Sequence, residues 1–423
     1  MNAILAVPLV LRLVALFVAG LVAGSLANLG IYRLGWNRRA ISPWSRPPAG
    51  APPRQWWDRL PVVGWLGLRR EEAVHGRGFW VRPMLLELAG GVLFAFLYGW
   101  EIAAAGLLPP DFPRPLGRDM LGILHHGYIA HVVLLLAMWV ASWIDIDEKT
   151  IPDTVTVPGT LAALALMVVW PASLLPDVRA EAGRGFFVSF VTLTSPNDLE
   201  PWRHAAWTGL PALALGLGCW WLWCVALLPR SWYPRHGYRR AWQLLLARLV
   251  RQRTSGLILA MGLAGSAVIA GVWKWGGAIH WCALLSSLAG LAIGGGIVWI
   301  VRVLGSSVLG REAMGFGDVT LLAMIGAMLG WQAAVIVFFL APLMGIVVGL
   351  TAWAVRGQSE IPYGPFLCLA AMTTIVGWAA LWQHFQGAFA LGWWLLAVLA
   401  ACLAMIVVLL PLVRLLLSLL RRA

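Results

Sequence analysis

The sequence predicts an all-α, polytopic transmembrane helix bundle of about eleven spans, and three observations predict it. Of the 423 residues, 61% are hydrophobic and 12% charged, whereas a soluble domain is about half apolar and about a quarter charged. Apolar runs of about 20 residues, enough to cross about 30 Å of hydrocarbon, recur along the whole chain. Positive charge gathers in a few loops between those runs. In lipid such runs must be helical, because only a helix pairs every backbone polar group within the segment.

The expected spans lie near 10–31, 84–108, 128–146, 154–174, 205–228, 254–275, 281–303, 316–330, 332–355, 364–381 and 388–412. The 316–330 run is the shortest. The first run continues to Ile31 with Gly24 and Asn28 inside it and no small-residue cleavage site, which reads as a retained helix. Between the first two runs, Arg33, Arg38, Arg39, Arg46, Arg54, Arg59, Arg69, Arg70, Arg77 and Arg82 face only three acids. That loop is therefore cytoplasmic, the N-terminus outside and the C-terminus cytoplasmic. Counting crossings then places 230–253 (seven arginines, no acid), Arg311, Arg356, Arg421 and Arg422 on the same side, provided 316–330 is a crossing. The net charge of +13 is thus a topology signal and not a nucleic-acid footprint. Stretches 109–127 and 175–204, rich in Pro and Asp, fall outside, the second being long enough for a small loop structure. His125, His126 and His131 are read as interfacial on that outer side.

The five cysteines sit in apolar runs with no CxxC pair, so they are read as packing residues, and no metal site is expected.

Two acidic elements carry candidate chemistry. Asp145, Asp147 and Glu148 close the third run just before Ile151-Pro152-Asp153, where proline ends the helix. Asp318 opens an apolar helix directly after Gly315-Phe316-Gly317, where glycine permits close backbone approach and the helix dipole favours a carboxylate. Either element alone is an ordinary helix end. Together they place two carboxylates at one depth on different helices, the arrangement that activates water by paired acid and base. Residues 145 and 147 point to nearly opposite helix faces, so only one can face Asp318. The helix dipoles bias Asp318 toward the base and Asp145 toward the acid.

The pattern from Asp145 to Pro152-Asp153, and Gly315-Phe316-Gly317-Asp318-Val319-Thr320-Leu321-Leu322, resemble the two aspartate motifs of prepilin (type IV leader) peptidases. Further matches follow in order: Gly24-Ser25 through Asn28 to Ile31-Tyr32-Arg33; Leu60-Pro61 to Trp65-Leu66-Gly67-Leu68-Arg69; Arg82-Pro83 to Glu87-Leu88; and Ile361-Pro362-Tyr363-Gly364-Pro365-Phe366-Leu367. The resemblance implies catalytic Asp145 and Asp318, supported by Gly315, Gly317, Pro152 and Asp153. It assigns Asn28, Arg33, Arg82 and Glu87 to substrate contact or methyl transfer, with a loop arginine as the alternative partner of Glu87. It implies an aspartic endopeptidase of the bacterial inner membrane, acting on prepilin or pseudopilin precursors with a short basic leader. Proteolysis implies no cofactor, whereas methylation of the new N-terminus, where it is retained, implies S-adenosylmethionine.

Two departures stand out. The first loop lacks the cysteine pairs many members carry, and about 170 residues separate the two aspartates. The chain therefore divides into 1–83, a first helix with its basic loop; 84–179, with the first aspartate; 180–274, an insertion with extra helices; and 275–423, with the second aspartate. A proton-coupled transporter is the main alternative. It predicts acids at the bilayer centre and matched halves with broken helices, and no internal repeat is visible. An inactive assembly protein of the same fold is the other.

Overall fold

The computed structural model describes residues 6–39, 41–181, 185–198, 200–228, 251–309, 314–356 and 362–392, with scattered residues from 394 to 409. The chain is a helical multi-pass membrane protein. Its principal helices are α1 (Leu9–Leu34), α2 (Val81–Tyr98), α3 (Arg118–Glu148), α4 (Asp153–Val169), α5 (Leu210–Ala226), α6 (Arg253–Trp275), α7 (Ala278–Leu309), α8 (Phe316–Leu329), α9 (Trp331–Arg356), α10 (Gly364–Val376) and α11 (Trp378–Phe389).

Among the described residues, six helices are long and apolar enough to cross a membrane, or seven if α10 and α11, bent by 96° at Gly377, form one span. Three further apolar helices, α4, α5 and α8, are shorter. Among the described residues the structure thus supports six or seven full-length crossings, where the sequence predicts about eleven over the whole chain. The 14 residues of α8 rise only about 21 Å, too little for about 30 Å of hydrocarbon. That helix is instead enclosed by its neighbours, with every residue from Asp318 to Leu329 buried. The expected span at 364–381 breaks at Gly377, 388–412 falls partly outside the described residues, and the basic stretch 230–250 lies wholly outside them.

Backbone contact between small residues sets the closest pairs. Gly294 of α7 lies so near α8 that a Cβ there would stand 2.5 Å from the Leu322 carbonyl oxygen. Gly290 and Gly326 abut in the same way one turn along. In α1, a Cβ at Gly24 would lie 2.7 Å from Glu87 Cα of α2. Small residues let membrane helices approach to backbone distance, where dispersion replaces the missing hydrophobic drive.

α3 begins at Arg118, ten residues before the expected start, so half of 109–127 is helix and not loop. Met120, Leu124 and Tyr128 bury one face of this extension and hold it in the core. His131 is consequently buried rather than interfacial, its Nδ1 2.8 Å from Oε1 of buried Glu101. His125 lies 3.1 Å from the Tyr98 hydroxyl. At this end of the bundle the strands β1 (Pro176–Glu181) and β2 (Gly185–Phe190) form an antiparallel hairpin, Pro176 opposite Phe190. Trp378 Nε1 donates to the Pro176 carbonyl at 2.8 Å and Trp382 Nε1 to Asp177 Oδ1 at 2.9 Å. Gln332 donates to the carbonyls of Thr192 and Ser195. These bonds fasten the loop structure expected at 175–204 to α9 and α11. Cys224, Cys282 and Cys368 are buried, as packing residues should be, whereas Cys402 is exposed.

Candidate active site

At the opposite end, where the basic loop lies, three acids in four residues of α3 take three directions. Asp145 turns inward, buried, and its Oδ2 accepts the Gly364 N–H at 3.1 Å. Asp147 turns outward to Arg82, at 2.8 and 3.0 Å. Glu148 accepts the backbone N–H groups of Trp36 and Asn37 at 2.7 and 2.8 Å, tying the end of α1 to the end of α3. Successive helical residues are about 100° apart, so such a run necessarily fans out.

α3 ends on Lys149, whose φ of 54° is left-handed. The chain reverses, and Pro152 leads into α4 with Asp153 in its first turn. This reversal carries Ile151 across the start of α8. A Cβ at Gly317 would stand 2.7 Å from Ile151 Cβ, so the second glycine of the Gly-x-Gly pair is required by packing. Asp318, also buried, receives a backbone hydrogen bond from Gly315.

Asp145 and Asp318 line one cavity of about 1090 Å³, with Gly35, Ile151, Pro152, Asp153, Gly315 and Gly317 in its wall. The two carboxylates lie close enough to interact electrostatically. Neither has an ion-pair partner among the described residues. Arg38, Lys149, Arg302 and Tyr363 also border the cavity. Burial, and then the neighbouring Asp318 carboxylate, raise the Tyr363 phenol above its ordinary range, which keeps it a neutral donor.

Two residues at or beside the cavity carried no role in the sequence reading. Gly364 belongs to the motif at 361–367, and a Cβ there would fall 2.5 Å from Asp145 Oδ2. Arg302 donates from Nε to the Met314 carbonyl at 3.0 Å, holding the turn before α8. An isolated arginine inside an apolar run was the available signal for the latter.

The residues assigned to substrate contact or methyl transfer do not meet at the cavity. Glu87 is fully buried and accepts from Val62 N–H (2.5 Å), Trp65 Nε1 (2.8 Å) and Asn28 Nδ2 (3.3 Å). Its partners are amides and an indole, not the loop arginine expected as the alternative. Asn28 also donates to the Pro83 carbonyl. Arg82 stacks over Trp143 at 4.5 Å while holding Asp147. Arg33 is exposed in a separate pocket.

Residues 18–101 match the model of the bacterial peptidase A24 N-terminal domain, and residues 247–350, which include Asp318, match that of the type IV leader peptidase family. Both stretches resemble the type IV leader peptidase family. A prepilin leader peptidase/N-methyltransferase of Aeromonas salmonicida is 37% identical over 102 residues, 23% of this chain and 32% of that protein. The protein of the same name from Pseudomonas putida is 37% identical over 106 residues, 24% of this chain and 35% of the relative. That of Myxococcus xanthus is 28% identical over 261 residues, 60% of this chain and 65% of the relative. The matched stretches therefore span about a third of the length of the first two relatives and just under two thirds of the third. No solved structure matches. The second family match begins at 247, inside the stretch 180–274 expected to be an insertion, and Asp145 lies outside both matches.

Proposed function

We propose that this protein is a membrane-embedded aspartic endopeptidase that removes the leader from prepilin-like or pseudopilin precursors at the cytoplasmic face of the bacterial inner membrane. The observation that carries this reading is the meeting of Asp145 and Asp318, 173 residues apart, in one cavity with no ion-pair partner for either among the described residues. One carboxylate takes a proton from water as its oxygen attacks the scissile carbonyl carbon, and the other protonates the carbonyl oxygen. Collapse of the tetrahedral intermediate then breaks the C–N bond as the leaving amine gains a proton. In the helix-dipole assignment, Asp318 begins as the base and Asp145 as the acid.

A transporter reading has less support. Both acids sit where helices begin or end beside the basic loop, not at mid-span. The relatives' names include N-methyltransferase, and among the candidate residues Asn28 Oδ1 and Arg82 Nη2 are buried without a hydrogen-bond partner. Both oxygens of Glu87 already accept internal donors. We assign this chain no methyl-transfer step.

Mass spectrometry of the N-terminus of a co-expressed prepilin tests the proposal. Cleavage is expected with the intact protein and is lost with Asp145→Asn or Asp318→Asn while the protein stays in the membrane. An uncut precursor beside the intact protein overturns the proposal.

A further inference from the structure

Beside the catalytic cavity lies a second pocket, of about 340 Å³, whose chemistry is of one sign. Arg33, Arg38 and Arg39 border it together with Tyr32, Ser42 and Ser45, and no acid contributes to its wall. Arg33 and Arg38 form no hydrogen bond, ion pair or ring contact among the described residues, and both are exposed. Two carboxylates approach this segment: that of Asp147 reaches Arg39 at 4.0 Å and is already held by Arg82, and that of Glu148 is engaged by the backbone N–H groups of Trp36 and Asn37. The serine wall is preset. Ser45 Oγ donates to the Ser42 carbonyl at 2.8 Å, and Arg54 holds the carbonyls of Ser42 and Ser45 at 2.6 and 2.7 Å. Arg33 and Arg38 thus stand without counter-charge beside Arg39, whose Asp147 partner is shared with Arg82, and a bound anion relieves the repulsion among the three guanidiniums.

A second, independent feature says where the anion comes from. The same segment exposes Trp36 at 83%, Trp44 at 58% and Trp56 at 71% of their surface. Indole rings turned out from a basic loop at the end of a membrane helix belong at headgroup depth, where an apolar ring and a polar N–H are both accommodated. Trp44 lies between the two serines of the pocket, and its backbone N–H donates to Ser42 Oγ. Trp36 and Trp44 thus belong to the same short segment as the three arginines, and that segment leaves the end of α1, a helix long and apolar enough to cross the membrane.

We propose that Arg33, Arg38 and Arg39 form a binding site for the phosphodiester headgroup of an anionic phospholipid, with the exposed tryptophans seated in the same leaflet. Anionic headgroups bind basic pockets on the cytoplasmic side of membrane proteins by this chemistry. Because Arg38 also borders the cavity of Asp145 and Asp318, an occupied site neutralises positive charge at its mouth. The inference stands apart from the proteolytic reading and needs no substrate.

Native mass spectrometry of the full-length protein, delipidated in detergent, tests it by titration with phosphatidylglycerol, phosphatidylcholine and inorganic phosphate in turn. At least fivefold preference for phosphatidylglycerol over phosphatidylcholine is expected, undisturbed by millimolar phosphate. Arg33→Gln/Arg38→Gln should remove the preference. Arg46→Gln/Arg77→Gln, an equal change of charge elsewhere in the loop, should keep it. Equal binding of the two lipids, displacement by free phosphate, or an equal loss in both double variants would each overturn the proposal.

Discussion

Asp58 and Glu71, in the loop between α1 and α2, are fully buried, and Asp145 and Asp318 nearly so, at 5% and 7% exposed. Yet each loop acid holds a guanidinium, and neither cavity acid does. Arg54 grips Glu71 through two parallel bonds of 2.8 and 2.9 Å, and Arg70 pairs with Asp58, which also caps its own turn through the Gln55 N–H. Two buried charges of opposite sign in bidentate contact satisfy one another and fix the loop. The cysteine-free loop is held in this way. The cavity acids instead face open space and accept single backbone amides, which leaves oxygens for water and substrate. Burial alone therefore does not distinguish a structural acid from a candidate catalytic one; the partner does.

The sharpest way to break this comparison is to remove acids of both kinds and measure activity and stability together. Asp145→Asn and Asp318→Asn should each lower cleavage at least a thousandfold, about 4 kcal/mol of transition-state stabilisation. Thermal unfolding in detergent should move little, because no ion pair is lost. A large fall in stability would show that these acids are structural after all. Glu71→Ala should do the reverse. It leaves Arg54 buried without its partner, at a cost of about 3 kcal/mol in stability, and intact cleavage by the folded fraction is expected.

Gly364→Ala probes the positioning of one cavity acid. The added methyl would collide with Asp145 Oδ2 and displace it, and a displacement of about 1 Å costs about a hundredfold in rate. Cleavage kinetics at unchanged expression check this. The smallest effect belongs to Asp147→Asn. Its pair with Arg82 is partly exposed, so a loss of about 1 kcal/mol or less is expected, with cleavage retained. If Asp147→Asn abolishes cleavage and Asp145→Asn spares it, the two acids have been assigned in the wrong order.

Much of this was legible in the sequence. Hydropathy marked the helices because lipid admits little else, and Pro152 and Gly315-Phe316-Gly317 marked where two of them end and begin. The spacing of Asp145 and Asp147 on one helix showed that only one could face Asp318. Asp58, Glu71 and their arginines were visible only as charges in a basic loop, since pairing between residues 12 and 17 apart in an irregular segment leaves no periodic trace.

By itself, then, the sequence determined the helical class, the side on which positive charge collects and the two aspartates, because each is written in local composition or in a short motif. Only the tertiary structure decided that α8 is enclosed rather than a full-length crossing, since enclosure depends on α7 approaching through Gly290 and Gly294. It likewise decided that Glu87 is consumed by Val62, Trp65 and Asn28, and that Gly364 meets Asp145 from 219 residues away. Such partners are fixed by packing between distant segments, and that information resides in no single stretch of the chain.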